Sequence, residues 1–430
     1  MSVSDPIFLE TAERIGRRLC RDALWAGEEC NWLGWAVMPI GYGWTVAYRA
    51  HPATVYDGTA GIALFLARLY HFTRDPIIKE TLVGALNRSR AEVPLIEEKL
   101  RSSYFNGVVG IAYACLEIGR LLEREELIKE GLRALSELHE VEPTTNERDV
   151  CVGSAGAIPV LIDVAQRYEK TNLMDTARKH GKHLLKQATK SDEGWSWDTM
   201  PGGTQKNLLG YAHGVSGIAT ALLELWKVTG EKEFKEGALG AFSYERAHFN
   251  EQQANWPDFR LMDPSTSPHP NGNFMIAWCH GAPGIGLARL RAFELSPDEN
   301  LAKELQVSLQ TTVNAFSQSM TFGHGNYCLC HGAGGNADLL ISASDILGRP
   351  EIRQAAEAVG RNGIAQYHTA DMPWPCGVNG AGETPNLMLG LAGIGYFYLR
   401  LYDSAAVRSV LMVRPEPEQH GIEIAAASNR

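Results

Sequence analysis

Two kinds of apolar pattern alternate along this chain. One is amphipathic: Leu121, Leu122, Leu127, Ile128, Leu132, Leu135 and Leu138 recur among Glu, Lys and Arg at the spacing of one helical face. The other is apolar throughout, as in Ile62–Ala67 and Ile218–Leu223, and predicts helices that leave no face for water. Each stretch of the second kind follows a Gly-x-x-Gly, and the first glycines fall at positions 58, 107, 153, 214, 281, 332 and 390. Intervals of 46 to 67 residues hold two helices and their connections, so the unit is a helix pair repeated seven times. Glycine at the entry to a buried helix permits a tight turn and close backbone approach.

This pattern predicts an all-α fold, an (α/α)7 toroid with apolar helices as the inner ring and amphipathic helices as the outer one. Alternating β-branched runs are scarce, so any sheet should be minor. Residues 1–413 read as one domain, and 414–430, opening Arg414-Pro415-Glu416-Pro417, as a polar, loosely held tail. All seven glycine turns should gather at one end, where residues flanking them meet although distant in sequence. The Pro-rich stretch Asp263–Gly272 should be a long loop on the rim of that end.

Chemistry concentrates at the turns. Cys279 and Cys330 each lie two residues before a first glycine, in adjacent repeats, and His331 lies one residue before its glycine. Two thiolates and one imidazole leave a tetrahedral Zn²⁺ one ligand short, which is the pattern of a catalytic rather than a structural zinc. Cys328 competes with Cys330 for the metal, but the repeat register favours Cys330. His213 occupies the position of His331 two repeats earlier and faces the same cavity; it is the candidate general acid/base. His280 shares that register as an active-site polar group or a satisfied turn histidine. Cys20, Cys115, Cys151 and Cys376 read as small core residues.

Composition narrows the class. Apolar residues make up 45% of the 430 positions, enough for a large core, and no apolar run is long enough to span a bilayer. The start lacks the layout of a signal peptide, which points to the cytoplasm. Eight cysteines then suggest thiols and metal rather than disulfides. A net charge of −10 disfavours nucleic acid as a partner.

The segments Trp278–Gly281, Cys330–Gly332 and Ala212–Gly214, with the seven glycine turns, resemble the lanthionine synthetase C-like cyclases. Tyr244–Arg246, Asn255–Arg260 and Leu389–Leu401 resemble in particular the cyclase domain that ends the bifunctional class II lanthipeptide synthetases. The similarity covers nearly the whole chain. It implies one Zn²⁺ on Cys279, Cys330 and His331, and addition of peptide cysteine thiols to dehydroalanine or dehydrobutyrine to close thioether rings. Asp149 matches the family's aspartate before the third glycine turn, with the implied task of orienting His213. The substrate implied is a dehydrated precursor peptide. The dehydratase half of the bifunctional enzymes is not matched, which implies a separate dehydratase or kinase-type partner. Other readings are a zinc protein that binds glutathione or a peptide thiol without catalysis, and a toroidal glycosidase using Asp57 and Asp149.

Overall fold

The computed structural model describes residues 5–40, 43–143, 147–260, 273–322 and 325–415; the Asp263–Gly272 stretch and the tail from residue 416 lie outside the described residues. Fourteen α-helices follow one another among them. The first six are α1 (Pro6–Asp22), α2 (Thr59–Thr73), α3 (Pro76–Ala91), α4 (Val108–Leu122), α5 (Glu125–Glu137) and α6 (Ser154–Arg167). Next come α7 (Thr171–Lys186), α8 (Val215–Thr229), α9 (Lys232–Ala247) and α10 (Ala282–Leu295). The last are α11 (Glu299–Phe322), α12 (Ala333–Leu347), α13 (Pro350–Gly363) and α14 (Leu391–Tyr402). The strands are minor, as the pattern predicts: three two-stranded hairpins, the longest pairing Leu33–Ile40 with Gly43–Ala50.

The even-numbered helices form the inner ring. Each packs on the next and α14 returns to α2, closing a toroid of seven; odd-numbered helices back them from outside. The seventh pair is made from the two ends of the described chain, since α1 packs on α14. The first glycine of every repeat is the N-cap of an inner helix. The second is required by proximity: a Cβ there would sit 1.7–2.2 Å from the carbonyl oxygen six residues earlier in all seven repeats.

One feature departs from the apolar reading of the inner helices. Ten residues beyond each first glycine, roughly 15 Å along the helix, stand Arg68, Glu117, Asp163, Glu224, Arg291, Ser342 and Arg400. Glu117 bonds Arg68 and Arg167, and Arg291 bonds Glu224. Burial alone would raise the Glu117 carboxyl, but the two guanidinium groups hold it down at about 2. The segment after α14 spans this end: Arg408 approaches Asp163 at 4.0 Å, Ser409 bonds Asp338 and Arg414 bonds Glu294. The charged belt and this segment cover the end opposite the glycine turns.

Candidate active site at the glycine-turn end

At the other end, the residues two before each first glycine are Tyr56, Phe105, Cys151, Ala212, Cys279, Cys330 and Met388. Hydrogen bonds join them into a closed circuit. Cys151 N donates to Ala212 O, Ala212 N to Cys279 O at 3.3 Å, Cys279 N to Cys330 O at 3.2 Å, and Cys330 N to Met388 O at 3.0 Å. Met388 N then donates to Tyr56 O and Tyr56 N to Phe105 O, while Asn106 Nδ2 completes the circuit on Cys151 O at 2.9 Å. The toroid thereby sets the relative heights of these residues. This is why side chains 51 positions apart in sequence share one site.

Cys279 and Cys330 come together as predicted. The hydrogen bond between their thiols, and then burial, push Cys279 well above the usual thiol range. A thiol so held is a poor nucleophile and a poor ligand until a cation compensates for its ionisation. Tyr56 donates its hydroxyl to Cys330 Sγ at 3.0 Å. His331 Nε2 lies 3.0 Å from the Gly377 carbonyl oxygen; it carries the proton there and leaves the lone pair on Nδ1. Cys328 is directed elsewhere: it is fully buried, its sulfur accepts from His331 N at 3.4 Å, and burial pushes its thiol up to about 12. All eight cysteines are free, and Cys115 and Cys151 are buried.

The donor set, two adjoining thiols and an imidazole with its tautomer fixed, fits a zinc ion chemically. Among the described residues, however, no three His, Cys, Asp or Glu side chains are drawn together as closely as a bound ion requires. Cys279 and Cys330 form the pair, and His331 stands next to it without being gathered in.

The predicted acid/base couple is also brought together. His213 Nδ1 donates to Asp149 Oδ2 at 2.8 Å, while Asp149 Oδ1 accepts from Val152 N at 2.7 Å. Asp149 is therefore both a turn cap and the partner of the histidine. Asp149 is buried and His213 partly open, so Nε2 is the nitrogen available to a substrate. His280 lies against His213 with ring centroids 5.9 Å apart. It is buried with Nδ1 3.9 Å from Asp258 Oδ1, and burial followed by the Arg260 charge pushes it down to about 3. Gly281, which follows it, has φ +93, and a Cβ there would meet Met275 O at 1.9 Å.

Arg260 grips Asp258 through Nε and Nη2, the latter at 2.6 Å, and its charge is felt at both Cys279 and Cys330. Trp256 is buried and its ring lies against Phe249, with centroids 4.8 Å apart. Asp57 accepts from Thr54 Oγ1 at 2.9 Å. Tyr56 lies outside the predicted site residues, although it occupies in the first repeat the position that the two cysteines occupy in theirs.

Fold and mouth together define a helical toroid that presents thiols, imidazoles and a guanidinium at one end. The chain belongs to the lanthionine synthetase C-like family, whose pattern matches residues 49–412. It is 21% identical over 383 residues to the lacticin 481/lactococcin biosynthesis protein LcnDR2 of Lactococcus lactis subsp. lactis, a match covering 87% of this chain and 38% of that protein. It is 23% identical over 395 residues to the glutathione S-transferase LANCL1 of Danio rerio, covering 83% and 84% of the two chains. Nisin cyclase shares the fold with a TM-score of 0.65 at 16% identity, covering 94% of this chain and 96% of that one. No helix among the described residues is long and apolar enough to cross a membrane.

Proposed function

We propose that this chain is a lanthipeptide cyclase that adds peptide cysteine thiols to dehydroalanine or dehydrobutyrine. The observation that carries the reading is the meeting, at one end of the toroid, of the Cys279–Cys330 pair with the His213–Asp149 couple. Cys279, Cys330 and His331 would hold a zinc ion, which would supply the positive charge that ionises a substrate thiol at neutral pH. The sulfur attacks the β-carbon, the C–S bond forms, and the π pair moves onto the α-carbon and its carbonyl as an enolate. The lone pair on His213 Nε2 first takes up the proton that the substrate thiol loses, Asp149 stabilises the resulting imidazolium, and Nε2 then delivers that proton to the α-carbon. Arg260 sets a positive charge beside the sulfurs, suited to steadying the enolate. The proton lost at sulfur equals the one gained at carbon, so product and substrate have the same mass. Dehydration supplies the alkene beforehand, and the substrate is a dehydrated precursor peptide.

The glycosidase alternative loses its acids. Asp149 is committed to His213 and Val152, and Asp57 to Thr54. The test is incubation with a dehydrated, cysteine-containing peptide, followed by thiol alkylation and mass spectrometry, with glutathione as a competing thiol. Loss of alkylatable peptide thiol supports the cyclase. Glutathione adducts without ring closure would instead point to the transferase chemistry named for the LANCL1 relative.

A further inference from the structure

Beside His331 lies a cavity of about 170 Å³ that the reaction above does not use. Phe316, Tyr327 and Tyr367 give it an aromatic wall, Asn336 and Asn362 a neutral polar one, and His331, the residue after Cys330, forms part of a further side. No Asp, Glu, Lys or Arg lines it among the described residues. The space is well below the ~300 Å³ at which sites for drug-sized ligands begin. It matches the scale at which a cavity of ~150 Å³ admits a single benzene ring.

Much of the polar wall is tied up in hydrogen bonds. Asn362 Nδ2 donates to Tyr327 Oη at 3.3 Å, and Gln366 Nε2 donates to Asn362 Oδ1 at 3.1 Å. Asn336, 7% exposed, donates through Nδ2 to Ile276 O at 2.8 Å. That bond fixes which end of its amide is nitrogen. Its Oδ1 has no partner. A buried carbonyl oxygen left unpaired at a cavity wall is an acceptor awaiting a donor.

We propose that this cavity is a peptide subsite. It takes one large uncharged side chain, aromatic or branched aliphatic, from the residue next to the reacting cysteine, and Asn336 Oδ1 accepts a main-chain N–H of the same peptide. His331 links the two places, since it lines the cavity while its charge is felt at Cys279, and the residue next to the reacting cysteine is assigned there. The inference rests on the cyclase reading for its substrate class, but it makes a separate claim about side-chain selection.

The test uses synthetic peptides carrying one dehydroalanine and one cysteine, with Phe, Gly or Asp beside the cysteine. Matching non-reactive peptides carry serine in place of that cysteine. Binding of the serine peptides is read by fluorescence anisotropy and turnover of the cysteine peptides by thiol alkylation, for wild type, Ala315→Leu and Asn336→Ala. Melting temperatures verify that both variants fold. Burying a phenyl group predicts that wild type binds the Phe peptide about tenfold or more tightly than the Gly peptide. Ala315→Leu, which fills the cavity, should erase that preference and leave the Gly peptide unchanged. Asn336→Ala should weaken Phe and Gly peptides alike. Equal binding of the Phe, Gly and Asp peptides by wild type, or a Phe preference that survives Ala315→Leu, would overturn the subsite. A preference in binding with no thiol consumption would retain the subsite and overturn the cyclase; consumption without preference would do the reverse.

Discussion

Replacing Asp149 by Asn separates its two roles at the level of one atom. In the native turn Oδ1 caps Val152 N at 2.7 Å and Oδ2 accepts from His213 Nδ1 at 2.8 Å. Val152 N can only donate, so the Asn oxygen must face it for the cap to survive, which turns the NH₂ towards His213. Nδ1 then has to accept, the proton moves to Nε2, and the lone pair facing the substrate is lost. The opposite amide orientation sets two donors against each other at Val152 and loses a cap worth ~1 kcal/mol, so the first arrangement wins. The imidazolium is further disfavoured, because its hydrogen bond to a charged partner was worth ~1.5–3 kcal/mol. Removal of a positioned acid/base predicts a rate loss of about 10²–10⁴-fold, with Asp149→Asn close to His213→Asn and folded stability almost unchanged. Asp149→Ala should lose the same activity and also ~1 kcal/mol of stability with the cap. The assay is single-turnover thiol loss on a dehydrated peptide, alongside thermal melts of each variant. Activity of Asp149→Asn within about threefold of wild type, well short of general acid–base magnitudes, would refute the assignment.

Other consequences follow from the same structure. Tyr56→Phe removes the hydroxyl that bonds Cys330 Sγ at 3.0 Å; with Co²⁺ as the probe, its sulfur-to-metal absorption band should shift, and an identical spectrum would mean that the contact does not tune the thiolate. His180 is buried in α7 against Ser154, and burial pushes it down to about 3. Its folded value lies below the unfolded one, so its contribution is present above about pH 6.5 and is lost as pH falls towards 3, at up to ~1.4 kcal/mol per unit. Denaturant titrations should show that slope reduced in His180→Gln. Gly335→Ala would place a Cβ 1.7 Å from Leu329 O, next to Cys330; overpacking against main chain predicts a loss at or above ~3 kcal/mol, read as insoluble expression or a sharply lower melting point.

The fold was legible because its signal is local and repeated. Seven Gly-x-x-Gly turns announce seven inner helices, since each second glycine faces a carbonyl that leaves no room for a Cβ. The nearness of Cys279 to Cys330 was legible for the same reason, as register converts sequence position into place on a ring, whereas Asp149, four residues before its glycine, came only from the family resemblance. What stayed hidden depends on contacts that no single repeat encodes. The neighbours of Asp149 in sequence do not say what it bonds, and the structure gives it two partners through different oxygens, Val152 N and His213 Nδ1. The belt from Arg68 to Arg400 was masked by strongly apolar surroundings, and its charges make sense only when neighbouring repeats are paired. The pairing of α1 with α14 joins residues at opposite ends of the described chain. Tyr56 shows that register should be read for every side chain capable of donating a hydrogen bond, not for metal ligands alone.

The most direct test of the central claim is zinc content by elemental analysis of purified wild type, Cys279→Ala, Cys330→Ala and Cys328→Ala. The account predicts about one zinc per chain in wild type, lost with either of the first two substitutions and retained with the third, whose sulfur is turned onto His331 N. Zinc retained in Cys330→Ala, or lost only in Cys328→Ala, would contradict it.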